Sequence, residues 1–171
     1  MATKLQAEIV STSTNYDVKV ESVRVYATSD SIRYRVMFDK TIPGIATKVD
    51  QTTGEIVYEE AEINYIDFQP KVLIAQCLSL MPGLTCVYMR KQENALRAGT
   101  GDGFGAAQLS YLLQGANITI ERTKFVEGEV YTTADGTTAQ HRHDGYSTRI
   151  ADIEITANAQ KILDKAIENL F

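Results

Sequence analysis

The 171-residue chain has no tryptophan, two cysteines, two histidines and three prolines, and each scarcity removes a class of explanation. Without tryptophan, stacking on a flat ligand falls to nine tyrosines and five phenylalanines. Cys77 and Cys86 stand nine positions apart in apolar surroundings. That is the pattern of buried thiols rather than a disulfide framework, and a structural zinc needs about four ligands. No stretch approaches the roughly 20 apolar residues that cross a bilayer, so no membrane partner is expected. The opening MATKLQAEIV lacks a basic segment followed by an apolar run, so no secretory leader is expected and a cytoplasmic location follows.

Motifs for cofactors and catalysis are equally sparse. GTGDGFG, residues 99–105, has closely spaced glycines, but no frame gives GxGxxG and GxxxxGK[ST] is absent, so it reads as a loop with no nucleotide cofactor. His141 and His143 lie two apart and on a strand would point to one side, yet no third ligand accompanies them and no metal site is expected. No Ser, Cys or Thr sits in a nucleophile elbow. Glu60 and Glu62, with Glu59 beside them, read as a solvated strand face. An enzyme is not expected.

What is present suits one globular domain over residues 1–171: 44% hydrophobic and 23% charged residues. The net charge of −5 opposes broad, purely electrostatic binding of nucleic acid. It is unevenly spread, however, and residues 71–126 form the basic part, with six Lys/Arg against three Asp/Glu. A polyanion would be engaged there or on a strand face beside it.

Val18, Val20, Val23 and Val25 alternate with a phase slip at Glu21-Ser22, which predicts a long first strand bent by a β-bulge. Ile32, Tyr34, Val36 and Phe38 alternate with Arg33, Arg35 and Met37 in a second strand. Pro43-Gly44 is expected to break the chain, and residues 45–68 read as a strand pair turning at Gln51-Thr52-Thr53-Gly54. A helix over 71–81 starts after Gln69-Pro70 and stops at Pro82-Gly83. Residues 84–99 allow a short strand at TCVYMR or a helix ended by Gly99, and are assigned as helix. A helix over 105–114 runs into Gly115. Two strands then flank a polar tip, and an amphipathic helix follows, with Asn158 as its cap and Ile162, Leu163, Ala166, Ile167 and Leu170 on its apolar side.

The most suggestive constellation alternates cations with rings. Lys19, Arg24, Tyr26, Arg33 and Arg35 fall on what should be an exposed face of the first two strands. Arg122, Lys124, Phe125, Arg142, Tyr146 and Arg149 add to it from the late strands, and Arg90, Lys91 and Arg97 lie just before the glycine run. Cations track phosphates while rings stack bases for about 1–3 kcal/mol each, with little regard to sequence. Tyr34, Phe38 and Tyr65 are expected in the core, whereas Tyr26, Phe125 and Tyr146 suit either the core or a ligand.

LLQGANITIERTKFVEGEVYTTADG followed by HRHDGYSTRIADIEI resembles the second half of single-stranded DNA-binding proteins of bacteria and their phages. In those proteins a helix ends in Gly, two strands flank a Gly-containing tip, and the last strand carries an aromatic and then alternating apolar residues, as Tyr146, Ile150, Ile153 and Ile155 do here. The resemblance covers about residues 112–156. It implies an α+β protein, mainly β, built as an OB-fold-like five-stranded Greek-key barrel, with a helical insertion over about 70–115 between strands three and four and a C-terminal helix over about 157–171.

It also implies a non-enzymatic protein that coats single-stranded DNA in replication or recombination, with a phage or mobile element as the expected source and RNA left open as ligand. The ending Glu168-Asn169-Leu170-Phe171 resembles the Phe-ended tails by which such proteins recruit replication partners, which marks Leu170 and Phe171 for that role. Self-association is expected. The competing expectation is a virion component or assembly adaptor that uses the barrel and the terminal helix as interaction surfaces.

Overall fold

The computed structural model describes residues 12–29, 31–98 and 106–170. Three long strands come first: β1 (Ser13–Ala27), β2 (Ile32–Val49) and β3 (Ile56–Phe68). Helices α1 (Pro70–Leu80), α2 (Pro82–Ala98) and α3 (Ala106–Leu113) follow. The chain then forms β4 (Asn117–Phe125), a small hairpin of β5 (Val130–Thr132) and β6 (Thr138–Gln140), the strand β7 (Gly145–Glu154) and α4 (Ala157–Glu168). The protein is therefore mixed α+β and mostly β, with a five-stranded antiparallel sheet in the order β3-β2-β1-β4-β7.

The bulge falls where the alternation slips, because the β1–β2 register shifts between Val20 and Ser22. Val18, Val20 and Val23 are all buried across this shift, which a strict period of two would forbid. Gly115, at φ 77°, stops α3 and turns the chain so that Gly115 N–H donates to Val20 O at 2.7 Å and Val20 N–H donates to Ala116 O at 2.9 Å. Only a residue at ease with positive φ can end the helix there and begin β4 against β1.

Packing groups the residues into two compact units. The first comprises the described residues up to Tyr16 with Ile42–Ile63 and Glu121–Arg149, and the second comprises Asp17–Thr41, Asn64–Ile120 and Ile150–Phe171 as far as described. In the second unit, the core joins Val36, Phe38, Ile118, Ile120 and Ile150 of the sheet to Leu73, Cys77, Leu84, Leu109, Leu113 and Leu163 of the helices. Burial pushes the Cys77 thiol up to about 12, as expected of an inert core cysteine. No described helix is long and apolar enough to cross a membrane.

Several expectations are corrected. The sheet does not close into a barrel, for β3 and β7 end the hydrogen-bonded order and no ladder joins them among the described residues. Gln69-Pro70 diverts the chain into α1, and Gln76 Oε1 accepts from Ile150 N at 2.7 Å, occupying an edge position of β7 that a closing strand would need. Pro43-Gly44 does not break β2.

Pro82 opens α2 instead of merely ending α1, and the helix runs through TCVYMR. The cap of α4 is Thr156, whose side chain accepts from Ala159 N at 3.1 Å; Asn158 already lies inside the helix. The polar tip is not a plain loop, since β5 and β6 pair within it. The 99–105 glycine run lies outside the described residues.

Gly44 is a steric requirement, because a Cβ there would lie 2.6 Å from Ile63 Cδ1 and 2.8 Å from Ile63 Cγ1. Gly44→Ala should lower stability in urea unfolding by about 1–3 kcal/mol. Adding Ile63→Ala should cost less than the two single losses combined; strict additivity would show that the contact is not the cause.

Candidate nucleic-acid interface

The second unit carries the clearest cluster of cations and rings. Register places Arg24 opposite Arg35 and Tyr26 opposite Arg33, so these four side chains share the face of the β1–β2 pair turned away from Val23, Val36 and Tyr34. Arg24 and Arg33 are exposed and make no hydrogen bond or ion pair with a described residue. Arg35 is held on three sides. Its Nε and Nη2 donate to Asp67 at 2.7 and 2.9 Å, and the guanidinium carbon lies 4.4 Å from the Tyr26 ring centre and 4.0 Å from that of Tyr65.

The hydrogen bond to Asp67 raises the Arg35 pKa, despite the opposing effect of burial. Two like charges directly across a strand pair repel, so neutralising Arg35 with Asp67 lets Arg24 sit opposite it. Tyr65, expected in the core, is only half-buried because its ring covers this guanidinium. Tyr26 keeps 43% of its surface exposed. Beside these residues, at the end of the same strands, Thr28, Ser29, Ser31, Ile32, Gln69, Pro70 and Lys71 line an open cleft of about 630 Å³.

Lys19 is exposed and its backbone N–H donates to Asp39 Oδ1 at 2.9 Å. It borders a cleft shared with Asp17, Asp39, Lys40, Asp152 and Glu154, in which carboxylates outnumber cations. Arg90 lies on α2 with Glu93 at 3.7 Å. Lys91 and Arg97 fall outside the residues described at side-chain level, and Phe171 lies outside the described residues. Leu170 is half-buried after α4.

The late-strand residues belong to the first unit, where most cations are engaged. Arg149 bonds Glu121 at 3.1 and 3.3 Å. Lys124 pairs with Glu60, which raises its pKa. Arg142 is exposed. Arg122 is buried at 5% exposure, with its guanidinium carbon 4.3 Å from the Tyr146 ring centre.

Sequence reading missed a ladder of five rings in this unit. Tyr131 stacks on His141 at 4.3 Å, His141 on Phe125 at 3.8 Å, and His143 on Tyr58 at 4.1 Å, while Phe125 meets His143 in a tilted contact at 6.3 Å. Gly145 makes the room, since a Cβ there would lie 2.5 Å from Phe125 Cζ. The two imidazoles are thus committed to ring contacts, and the only sequence signal was the two-residue spacing that put them on one side.

Comparison with protein-family models, with characterised proteins and with solved structures finds no match.

Asp67→Ala should reduce stability by about 1.5–3 kcal/mol in urea unfolding, since it strands a half-buried cation. Glu121→Ala, which releases the more exposed Arg149, should cost less than about 1 kcal/mol. Equal losses would show that Asp67 has no special role in fixing Arg35.

Proposed function

We propose that the protein binds single-stranded nucleic acid without catalysis, DNA being the leading ligand, through the exposed face of β1 and β2. The observation that carries this reading is the pair of exposed cations that no described residue engages, Arg24 and Arg33, beside a Tyr26–Arg35–Tyr65 stack whose first ring stays exposed. Cations supply phosphate attraction and counterion release, and an exposed ring accepts a base regardless of its identity.

Charge distribution favours this unit over the other. Its sequence ranges hold eleven Lys/Arg and eleven Asp/Glu, against six and eleven in the first unit, so the whole net charge of −5 falls on the unit that lacks this face. The strand order β3-β2-β1-β4-β7 with helices between β3 and β4 is also that of a Greek-key OB barrel opened between its third and last strands. On that finer assignment, the binding face expected of the fold overlaps β2 and β3. A role in replication or recombination belongs to the same proposal.

A titration of labelled oligo-dT at two salt concentrations tests it. Arg24→Ala/Arg33→Ala should weaken binding at least tenfold at low salt and flatten the log–log salt slope by roughly 1–1.5, at about 0.7 per lost phosphate contact on a single strand. Unchanged affinity and slope would remove these arginines from the interface and the proposal with them.

One observation favours a second reading, an assembly or adaptor role. Val87, Tyr111, Leu112, Ile162, Leu163 and Ala166 line a mostly apolar groove of about 200 Å³ among α2, α3 and α4, where Tyr111 is 72% and Ile162 44% exposed. If this surface is used for self-association, sedimentation should show concentration-dependent oligomers that Ile162→Glu dissociates. A concentration-independent monomer would end that reading.

A further inference from the structure

Arg122 is a cation that the fold encloses without supplying an anion. It is 5% exposed, its Nε is buried with no hydrogen-bond partner, and no described residue accepts from its terminal nitrogens. The same chain gives Arg35 to Asp67, Arg149 to Glu121 and Arg90 to Glu93. Lys124, two residues along β4, is matched by Glu60. Among the described residues Arg122 has rings instead: Tyr146 lies against its guanidinium, and the Tyr146 and Tyr16 phenols lie near it.

Burial lowers the Arg122 pKa, but an arginine stays protonated at any ordinary pH. A desolvated, permanent charge with no counter-charge is unfavourable unless something supplies one. Among the described residues no carboxylate supplies it.

We infer that Arg122 is the floor of an oxyanion site in the first unit, stacked on Tyr146, whose ligand is a phosphate group. The guanidinium offers its planar fork to paired oxygens. A phosphate, unlike a carboxylate, keeps further oxygens free to accept from phenol hydroxyls. Approach is not steered from a distance, because this unit carries more acids than bases. Binding therefore draws on the local, desolvated contact, and millimolar concentrations are the range to search. The phosphate could be free or terminal, or a diester within a nucleic-acid strand; the chemistry at Arg122 is the same.

The test is thermal unfolding of the full chain in sodium chloride, in sodium phosphate at matched ionic strength, and with dT12 lacking terminal phosphates, each for wild type and Arg122→Met. Saturating phosphate should raise the wild-type Tm by roughly 2–4 °C, and Arg122→Met should lose that rise while melting no lower than wild type in chloride. A rise with inorganic phosphate that Arg122→Met loses assigns the site to free or terminal phosphate, and a dT12 rise that persists in Arg24→Ala/Arg33→Ala but is lost when Arg122→Met is added assigns it to the diester. Equal shifts in both proteins with inorganic phosphate and with dT12 alike, no shift with either ligand, or a marked fall in Tm for Arg122→Met in chloride would overturn the inference.

A second readout needs no variant. The Arg122 Nε–H resonance of wild type should move saturably with inorganic phosphate or with dT12, and a resonance unmoved by both would also overturn the site. Arg24→Ala/Arg33→Ala should leave that movement intact, so failure at one surface is distinguishable from failure at the other.

Discussion

One inserted residue in β1 decides what each side of the sheet carries. Without the shift between Val20 and Ser22, positions 18, 20, 22, 24 and 26 would share a face, and Arg24 and Tyr26 would point into the core with Val18 and Val20. The bulge lets Val23 follow Val20 into the interior and turns Arg24 and Tyr26 outward, opposite Arg35 and Arg33. Val20 is also where the backbone meets Gly115 and Ala116, so the irregularity lies at the place where β4 joins β1. A regular strand could bury Val18 and Val20 or display Arg24 and Tyr26 over this length, but not both.

How much of this was legible follows from the range of each interaction. The phase slip at Glu21-Ser22, the stop at Gly115 and the turn before Gly54 are local, because a side-chain period or a positive φ is specified by a few neighbouring residues. The misread features depend on distant partners. Pro43-Gly44 looks like a break until Ile63 is known to fill the space over Gly44. Tyr65 looks like core until Arg35 and Asp67 are brought beside it. Barrel closure was assumed from the order of elements, which does not reveal that Gln76 reaches Ile150.

The candidate site divides in the same way. Alternation alone put Arg24, Tyr26, Arg33 and Arg35 on one face, and register agrees. It could not say that Arg35 would be bound to Asp67, since that pair joins residues 32 apart. The ring ladder was still less visible: Tyr58, Phe125, Tyr131, His141 and His143 come from four parts of the chain, and the hairpin pairing β5 with β6 brings two of the rings to the others. Non-local stacking leaves no periodic trace in a sequence.

Arg35 and Arg122 show why ring contact alone does not define what an arginine is for. Their guanidinium-to-ring distances are nearly the same, 4.0 and 4.4 Å for Arg35 and 4.3 Å for Arg122. Both gain the attraction of a cation for a ring face. Asp67 satisfies Arg35 through two charge-assisted hydrogen bonds, so a ligand phosphate would have to displace a carboxylate already in place. Arg122 is more deeply buried and has no such carboxylate among the described residues. On the proposed reading, an arriving anion there displaces no carboxylate of the described residues and offsets a desolvation cost. The lack of a carboxylate partner among the described residues, more than the presence of the cation, separates an arginine that fastens the fold from one proposed to hold a ligand.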